Sequence, residues 1–192
     1  MRACSLRQTV YKECVRMKNI AVSDMRNFVL LGHTGSGKTT LADALLFKLG
    51  INDRMGNVGT GSSMADYTDE EKSRQTTIFS KSFGGAFKTK DGKEAGLVFI
   101  DTPGYMDFFG QTISALRATD ACLVSVDALS GVQVGTLRAW RTSERNGIRA
   151  HGVVVTGLDK ENADFKVALS AIQSSLGSKC IPVVIPVLGG KE

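Results

Sequence analysis

Gly32-His33-Thr34-Gly35-Ser36-Gly37-Lys38-Thr39 is the stretch of this 192-residue chain whose residue types and spacing most directly spell out a chemistry. It fits Gly-x-x-x-x-Gly-Lys-Ser/Thr. The glycines let successive backbone N–H groups turn inward around phosphate oxygens. A helix beginning near Lys38 adds the partial positive charge of its N-terminus. Lys38 would reach the β- and γ-phosphates of a nucleotide, and the Thr39 hydroxyl would bind Mg²⁺, with Thr40 next along the loop.

Two later stretches can complete such a site. Asp101-Thr102-Pro103-Gly104 follows a buried apolar run. In an open α/β sheet the carboxyl end of a neighbouring strand faces the ligand. Asp101 could hold a magnesium-bound water there, and the Gly104 N–H could reach the γ-phosphate. Asp-Thr-Pro-Gly is also ordinary turn chemistry, so its weight comes from what precedes it. Thr77 closes a long irregular segment and offers a second hydroxyl to Mg²⁺; taken alone it reads as a strand-edge threonine.

The elements that must position these residues alternate. Phe28–Leu31 reads as a short buried strand, and Thr39 onward has helical periodicity up to Gly50. Residues 51–77 show little periodicity, and so long an irregular stretch is functional or disordered. Ile78–Phe87 and Leu97–Ile100 read as a strand pair around a turn at Asp91-Gly92. Residues 107–119 look helical, Ala121–Val126 is a buried strand, and Gly131–Asn146 fits a helix closed by Gly147. Gly152–Val155 and Ala163–Leu176 repeat the pattern. Ile181–Leu188 is apolar and β-branched, but Pro182 and Pro186 make it an edge strand or an extended segment. Continuous apolar strands separated by helices predict an α/β fold, a phosphate-loop NTPase with a mostly parallel central sheet and helices on both faces.

Composition agrees with one globular body. The chain is 42% hydrophobic and 22% charged with only three prolines, which excludes a disordered or collagen-like chain. No apolar run approaches the ~18 residues of a membrane span. The net charge of +5 is concentrated at the start, where Arg2, Arg7, Lys12, Arg16, Lys18 and Arg26 outnumber Glu13 and Asp24. The remainder is close to neutral, so the body offers no general polyanion surface and no sequence-specific nucleic-acid contact is expected. Residues 1–25 read as a solvated basic extension, and the domain text begins around Met25. Cys4, Cys14, Cys122 and Cys180 form no Cys-x-x-Cys pair and only two histidines exist, so a zinc site is not expected. A cytoplasmic, monomeric protein is the expectation.

The order of these motifs resembles the GTPase domain of the translational GTPases, most closely elongation factor G and its paralogues. The residues that carry the likeness are the phosphate loop, Arg74-Gln75-Thr76-Thr77-Ile78, and Asp101-Thr102-Pro103-Gly104-Tyr105-Met106-Asp107-Phe108. Gly131-Val132-Gln133 with Trp140, and Leu158-Asp159-Lys160, add to it. The likeness runs from about residue 26 to the end. It implies a GTP-binding domain over 26–180 and the truncated start of a further subdomain over 181–192. It also implies GTP and GDP as ligands with Mg²⁺, ribosomal action if the remaining domains exist, and switch segments released when the γ-phosphate is lost. Lys38, Thr77, Gly104 and Tyr105 would take the catalytic places. Gly32–Thr40, Asp101–Gly104 and Thr156, Gly157, Leu158 and Asp159 would bind the nucleotide, with Thr39, Thr77 and Asp101 on the metal.

Four departures from the family pattern are visible. Gly35 replaces an Asp. Gln75-Thr76 replaces Gly-Ile, removing a permissive glycine. Tyr105 replaces the histidine that positions the attacking water, and a phenol of pKa ~10 is a poor base at neutral pH. Thr156-Gly157-Leu158-Asp159 stands for Asn-Lys-x-Asp; Asp159 keeps the carboxylate for guanine, whereas the Asn amide and the base-covering Lys stem are gone. His33 is expected to be structural. Three readings follow: a slowly hydrolysing GTPase domain, a nucleotide-sensing module without useful turnover, and an ATPase or small-molecule kinase, which Asp159 disfavours. With few apolar anchors, residues 51–77 are expected to be ordered only by γ-phosphate and Mg²⁺.

Overall fold

The computed structural model of the protein describes residues 20–187. Five strands form one sheet: β1 (Met25–Gly32), β2 (Lys81–Lys88), β3 (Glu94–Asp101), β4 (Ala121–Asp127) and β5 (Ala150–Thr156). Their order is β2-β3-β1-β4-β5, parallel except for β2, which runs antiparallel to β3 at the edge. The helices are α1 (Lys38–Lys48), α2 (Asp69–Arg74), α3 (Phe109–Leu116), α4 (Val134–Arg145) and α5 (Phe165–Leu176).

Alternation along β1 divides the core in two. Val29 and Leu31 face Ala115 and Leu116 of α3 and Ala139 of α4, together with Cys122, Val124 and Ile148. Leu30 faces the other way, onto Ala42 and Leu46 of α1, with Phe99, Ile51 and Ala65. Phe99 also stacks on Phe28 and tilts against Phe83, at ring separations of 5.8 and 5.5 Å. Each fully buried leucine contributes about 1.5–3 kcal/mol. Burial on both faces explains why the strands read as unbroken apolar runs.

Register then places the chemistry. Gly32 pairs with Ser125, Leu30 with Asp101, and Asp127 with Thr156. The carboxyl ends of β1, β3, β4 and β5 therefore share one edge of the sheet.

The structure differs from the sequence expectation in three places. The strand expected from Ile78 begins at Lys81, because the N–H groups of Ile78 and Phe79 donate to the Glu71 carboxylate at 3.0 and 3.2 Å instead of to a neighbouring strand. The helix expected over 107–119 is a 3₁₀ turn (Met106–Phe108) followed by α3. Of the edge strand or extended segment expected over Ile181–Leu188, no strand forms: residues 181–187 are largely exposed and unpaired, and Leu188 lies outside the described residues. Inside the irregular segment stands α2, with a capping box: Thr68 accepts from the Glu71 N–H while Glu71 accepts from the Thr68 N–H. Most of the basic extension lies outside the described residues. Val22–Asp24 form a 3₁₀ turn from which Asp24 pairs with Lys93 at 2.6 Å.

Candidate nucleotide site

The phosphate loop leaves β1 through Gly32 and enters α1 through Gly37, whose φ of +78° is the left-handed conformation that favours glycine. A β-carbon on Gly32 would sit 2.6 Å from the Ser125 carbonyl, so only glycine lets the loop start so close to β4. Ser36 braces the loop: its hydroxyl donates to the His33 carbonyl at 2.7 Å and meets the Ser125 hydroxyl at 2.7 Å. The far side is tied by Thr156, whose hydroxyl can donate to the Ser36 carbonyl at 3.0 Å or to the Val126 carbonyl at 3.2 Å. Although the Asn amide of the family pattern is absent, this hydroxyl links β5 to the loop.

Lys38 is 5% exposed, and its ammonium donates to the Gly32 and His33 carbonyls at 3.1 and 2.6 Å. Those carbonyls hold the side chain back over its own loop. Gly104 closes on it from β3: a β-carbon there would lie 2.6 Å from Lys38 Nζ and 2.7 Å from the Thr34 nitrogen.

Asp101 is fully buried, and neither carboxylate oxygen makes a hydrogen bond of good geometry, though the nearby Thr39 hydroxyl favours its charged form. Burial pushes its carboxyl up to about 7, opposed by the charge of Lys38. Burial likewise pulls Lys38 down to about 8, opposed by Asp101. Burial thus disfavours the charge on each group, and each group partly offsets this for the other. Thr39 lies in the first turn of α1 and Thr77 at the end of the irregular segment, yet their hydroxyls meet at 2.9 Å. Two hydroxyls beside a buried carboxylate are a hard-oxygen set that suits Mg²⁺. Mg²⁺ is commonly held by one or two carboxylates with substrate phosphates and waters completing its shell. No cluster of three His, Cys, Asp or Glu side chains suited to a metal occurs among the described residues.

A cavity of about 390 Å³ opens over this set, bordered by Thr34, Gly35 and Gly37–Thr40 on one wall and Gln75–Thr77, Gly104 and Tyr105 on the other. Val58 and Asp66 also border it. Gly32, His33, Ser36, Asp101, Thr102, Pro103, Thr156, Gly157, Leu158 and Asp159 do not. The Thr102 hydroxyl is turned inward and donates to the Leu30 carbonyl at 2.6 Å, tying the end of β3 to β1. The His33 ring packs against Gly135, where any β-carbon would collide with Nδ1. Tyr105 is 44% exposed at the mouth of the cavity.

Besides Ile51 and Ala65, which are buried in the core, residues 51–77 are held by polar anchors that sequence periodicity does not report. Glu71 is completely buried and receives Lys81 Nζ at 2.5 Å, the Ile78 and Phe79 N–H groups, and the Thr68 hydroxyl at 2.8 Å. Burial pushes the Glu71 carboxyl up, but these bonds, that of Lys81 foremost, outweigh it and hold it below the usual range. Lys81 also reaches Asp66 at 3.4 Å and lies over the Tyr67 ring at 5.1 Å. On the other flank, Asp43 of α1 accepts the Met64 N–H at 2.9 Å. Gln75 adopts φ +50°, so a bulky residue takes the left-handed conformation otherwise left to glycine. Only the Thr68-x-x-Glu71 box was open to recognition from sequence; the network around Lys81 leaves no sequence signal.

The elongation factor Tu GTP-binding domain family model matches residues 23–188. The chain belongs to this family. It is a GTP-binding domain of the translational GTPase type, and guanine nucleotide is the family's ligand. Among solved structures, a protein from Thermus thermophilus is 45% identical with a TM-score of 0.72. A bacterial selenocysteine-specific elongation factor, EF-Sec, is 25% identical with a TM-score of 0.56. Each match covers 79% of this chain and 22% of the other, so the chain spans about a fifth of the length of these relatives. Among the described residues no helix is long and apolar enough to cross a membrane.

Proposed function

We propose that this chain is the GTP- and GDP-binding domain of an elongation factor G-like translational GTPase, with Mg²⁺-dependent switch segments and slow intrinsic hydrolysis. The observation that carries this reading is the meeting of Thr39 and Thr77 hydroxyls at 2.9 Å beside the buried Asp101. Thr39, Thr77 and Asp101 would hold the ion, directly or through water. Mg²⁺, when bound, would supply positive charge that offsets the charge developing on the phosphates. The loop N–H groups from Thr34 to Thr40 orient the phosphates, Lys38 donates to them, and the Gly104 N–H meets the γ-phosphate. Loss of that phosphate would release Thr77 from the site. Residues 26–180 are proposed as the domain and 181–192 as the start of a further subdomain. Action on the ribosome, a monomeric state and a cytoplasmic location belong to the same proposal.

Base choice tests it. Asp159 is proposed to accept guanine's N1 and N2 hydrogens. Asp159→Asn turns one acceptor into a donor facing those hydrogens. Titration of the variant should show GTP affinity reduced by about tenfold or more and a relative gain for xanthosine triphosphate. Equal binding of ATP and GTP by the wild type would remove the guanine assignment.

A second reading, a nucleotide sensor without useful turnover, is favoured by Tyr105 at the cavity mouth. In-line attack on the γ-phosphate needs a positioned water more than a strong base. A phenol can orient that water but brings no positive charge toward the phosphoryl group. Single-turnover hydrolysis is expected at or below the order of 10⁻⁴ s⁻¹, the rate of GTPases without their activator. Tyr105→Phe separates the roles: a slower variant means that the hydroxyl positions water, an unchanged one that the ring is a plug. Turnover near ~1 s⁻¹ by the wild type alone would overturn this account of position 105.

A further inference from the structure

The base end of the site contains a residue that the family pattern does not assign to it. Gly157 stands where the pattern has a long lysine, and its φ is +68°. The space above it is filled. A β-carbon on Gly157 would lie 3.0 and 3.2 Å from Cε and Cδ of Lys160, and 2.9 Å from Asp127 Oδ2. The turn that brings Lys160 back is closed by its own N–H donating to the Gly157 carbonyl at 3.2 Å. Its ammonium then bonds to Asp127 Oδ2 at 2.5 Å.

Asp127 is a fixed anchor. Its other oxygen accepts the Leu129 and Ser130 N–H groups at 3.1 and 3.0 Å, and its side chain is 8% exposed. Burial pushes the Asp127 carboxyl up, but the Lys160 bond and these N–H groups outweigh it and hold it below the usual range. The Lys160 side chain keeps 49% exposure, so one flank of the stem rests on Gly157 and the other remains open. An ion pair this exposed adds little to folding.

We propose that the methylene stem of Lys160, pinned by Asp127 and laid over Gly157, is the apolar shelf on which the purine ring of the nucleotide rests. The side chain enters from three residues later than the family's lysine and ends in the same space. Long cationic side chains cover flat apolar surfaces in this way while keeping the charge paired. The neighbouring Asp159 would read the ring's edge while Lys160 covers its face. This inference rests on the guanine-nucleotide reading above and adds to it the residue that holds the base.

Calorimetric titration of the full chain with GDP, ADP and pyrophosphate, Mg²⁺ present, tests it. Lys160→Ala should weaken GDP binding by about tenfold, the weight of two buried methylenes, and leave pyrophosphate binding unchanged. Lys160→Met, which keeps a stem without its anchor, should fall between the two. GDP binding unchanged in Lys160→Ala, or GDP and pyrophosphate weakened equally, would overturn the proposal. A wild type that binds pyrophosphate but neither GDP nor GTP would overturn the guanine reading itself, and this inference with it.

Discussion

Lys38→Ala should weaken GDP and GTP binding by about tenfold or more. The ammonium is buried at the root of the phosphate loop and held by two backbone carbonyls, with Gly104 packed against it. An ammonium has three donors, and the two carbonyls leave one for phosphate. Each charge-assisted bond to phosphate contributes about 1.5–3 kcal/mol, and 1.4 kcal/mol is tenfold in affinity. The variant also strips Asp101 of the charge that opposes its protonation. Titration with a fluorescent nucleotide, on protein shown to be folded by circular dichroism, measures the change. Affinity equal to the wild type would mean that Gly32–Thr39 does not hold phosphate.

The second large effect is expected at Lys81→Met. This lysine is 6% exposed, and the Glu71 it pairs with has no exposure. Removing one partner of a buried ion pair costs about 3–5 kcal/mol, because the remaining charge stays buried without its counter-charge. The cost should appear as release of the segment that Glu71 organises. Hydrogen exchange on the nucleotide-free protein should show the Ile78 and Phe79 amides losing protection while β4 keeps its own. Adding Glu71→Gln to Lys81→Met should restore part of the loss. Protection unchanged in the single variant would remove the anchor. In the wild type those amides should be protected before any nucleotide is added, contrary to the expectation from sequence that γ-phosphate and Mg²⁺ alone order residues 51–77.

Acid should act on the same anchor. The folded-state pKa of Glu71 lies below its ordinary value of 4.5. Its contribution is therefore complete above the unfolded value and is lost as pH falls through the lower folded value. Exchange at Ile78 and Phe79 should rise in that window.

Much of this was legible in the residue order. Buried strands are continuous apolar runs because both faces of the sheet are covered. Gly-x-x-x-x-Gly-Lys-Thr needs glycine where φ is positive and where the loop passes β4. Those constraints are local, and local pattern carries them. The helix α2 escapes periodicity because a six-residue element has too few turns to show a period, although its capping box is written at Thr68 and Glu71. The start of β2 is hidden because apolar Ile78 and Phe79 look like strand, whereas their N–H groups are taken by a carboxylate.

The sequence by itself determined the fold class, the phosphate loop and the strand ends from which Asp101 and Asp159 emerge, since each depends on residue types a few positions apart. What those residues touch depends on packing between distant parts of the chain. That packing turned Thr102 inward to Leu30, gave Thr156 the link to the loop, buried Lys81 against Glu71, and folded Lys160 back over Gly157 onto Asp127. The physical reason is the same throughout. A hydrogen bond or ion pair between residues far apart in the chain is formed by register and packing, and neither residue type reveals in advance which partner the fold will bring to it.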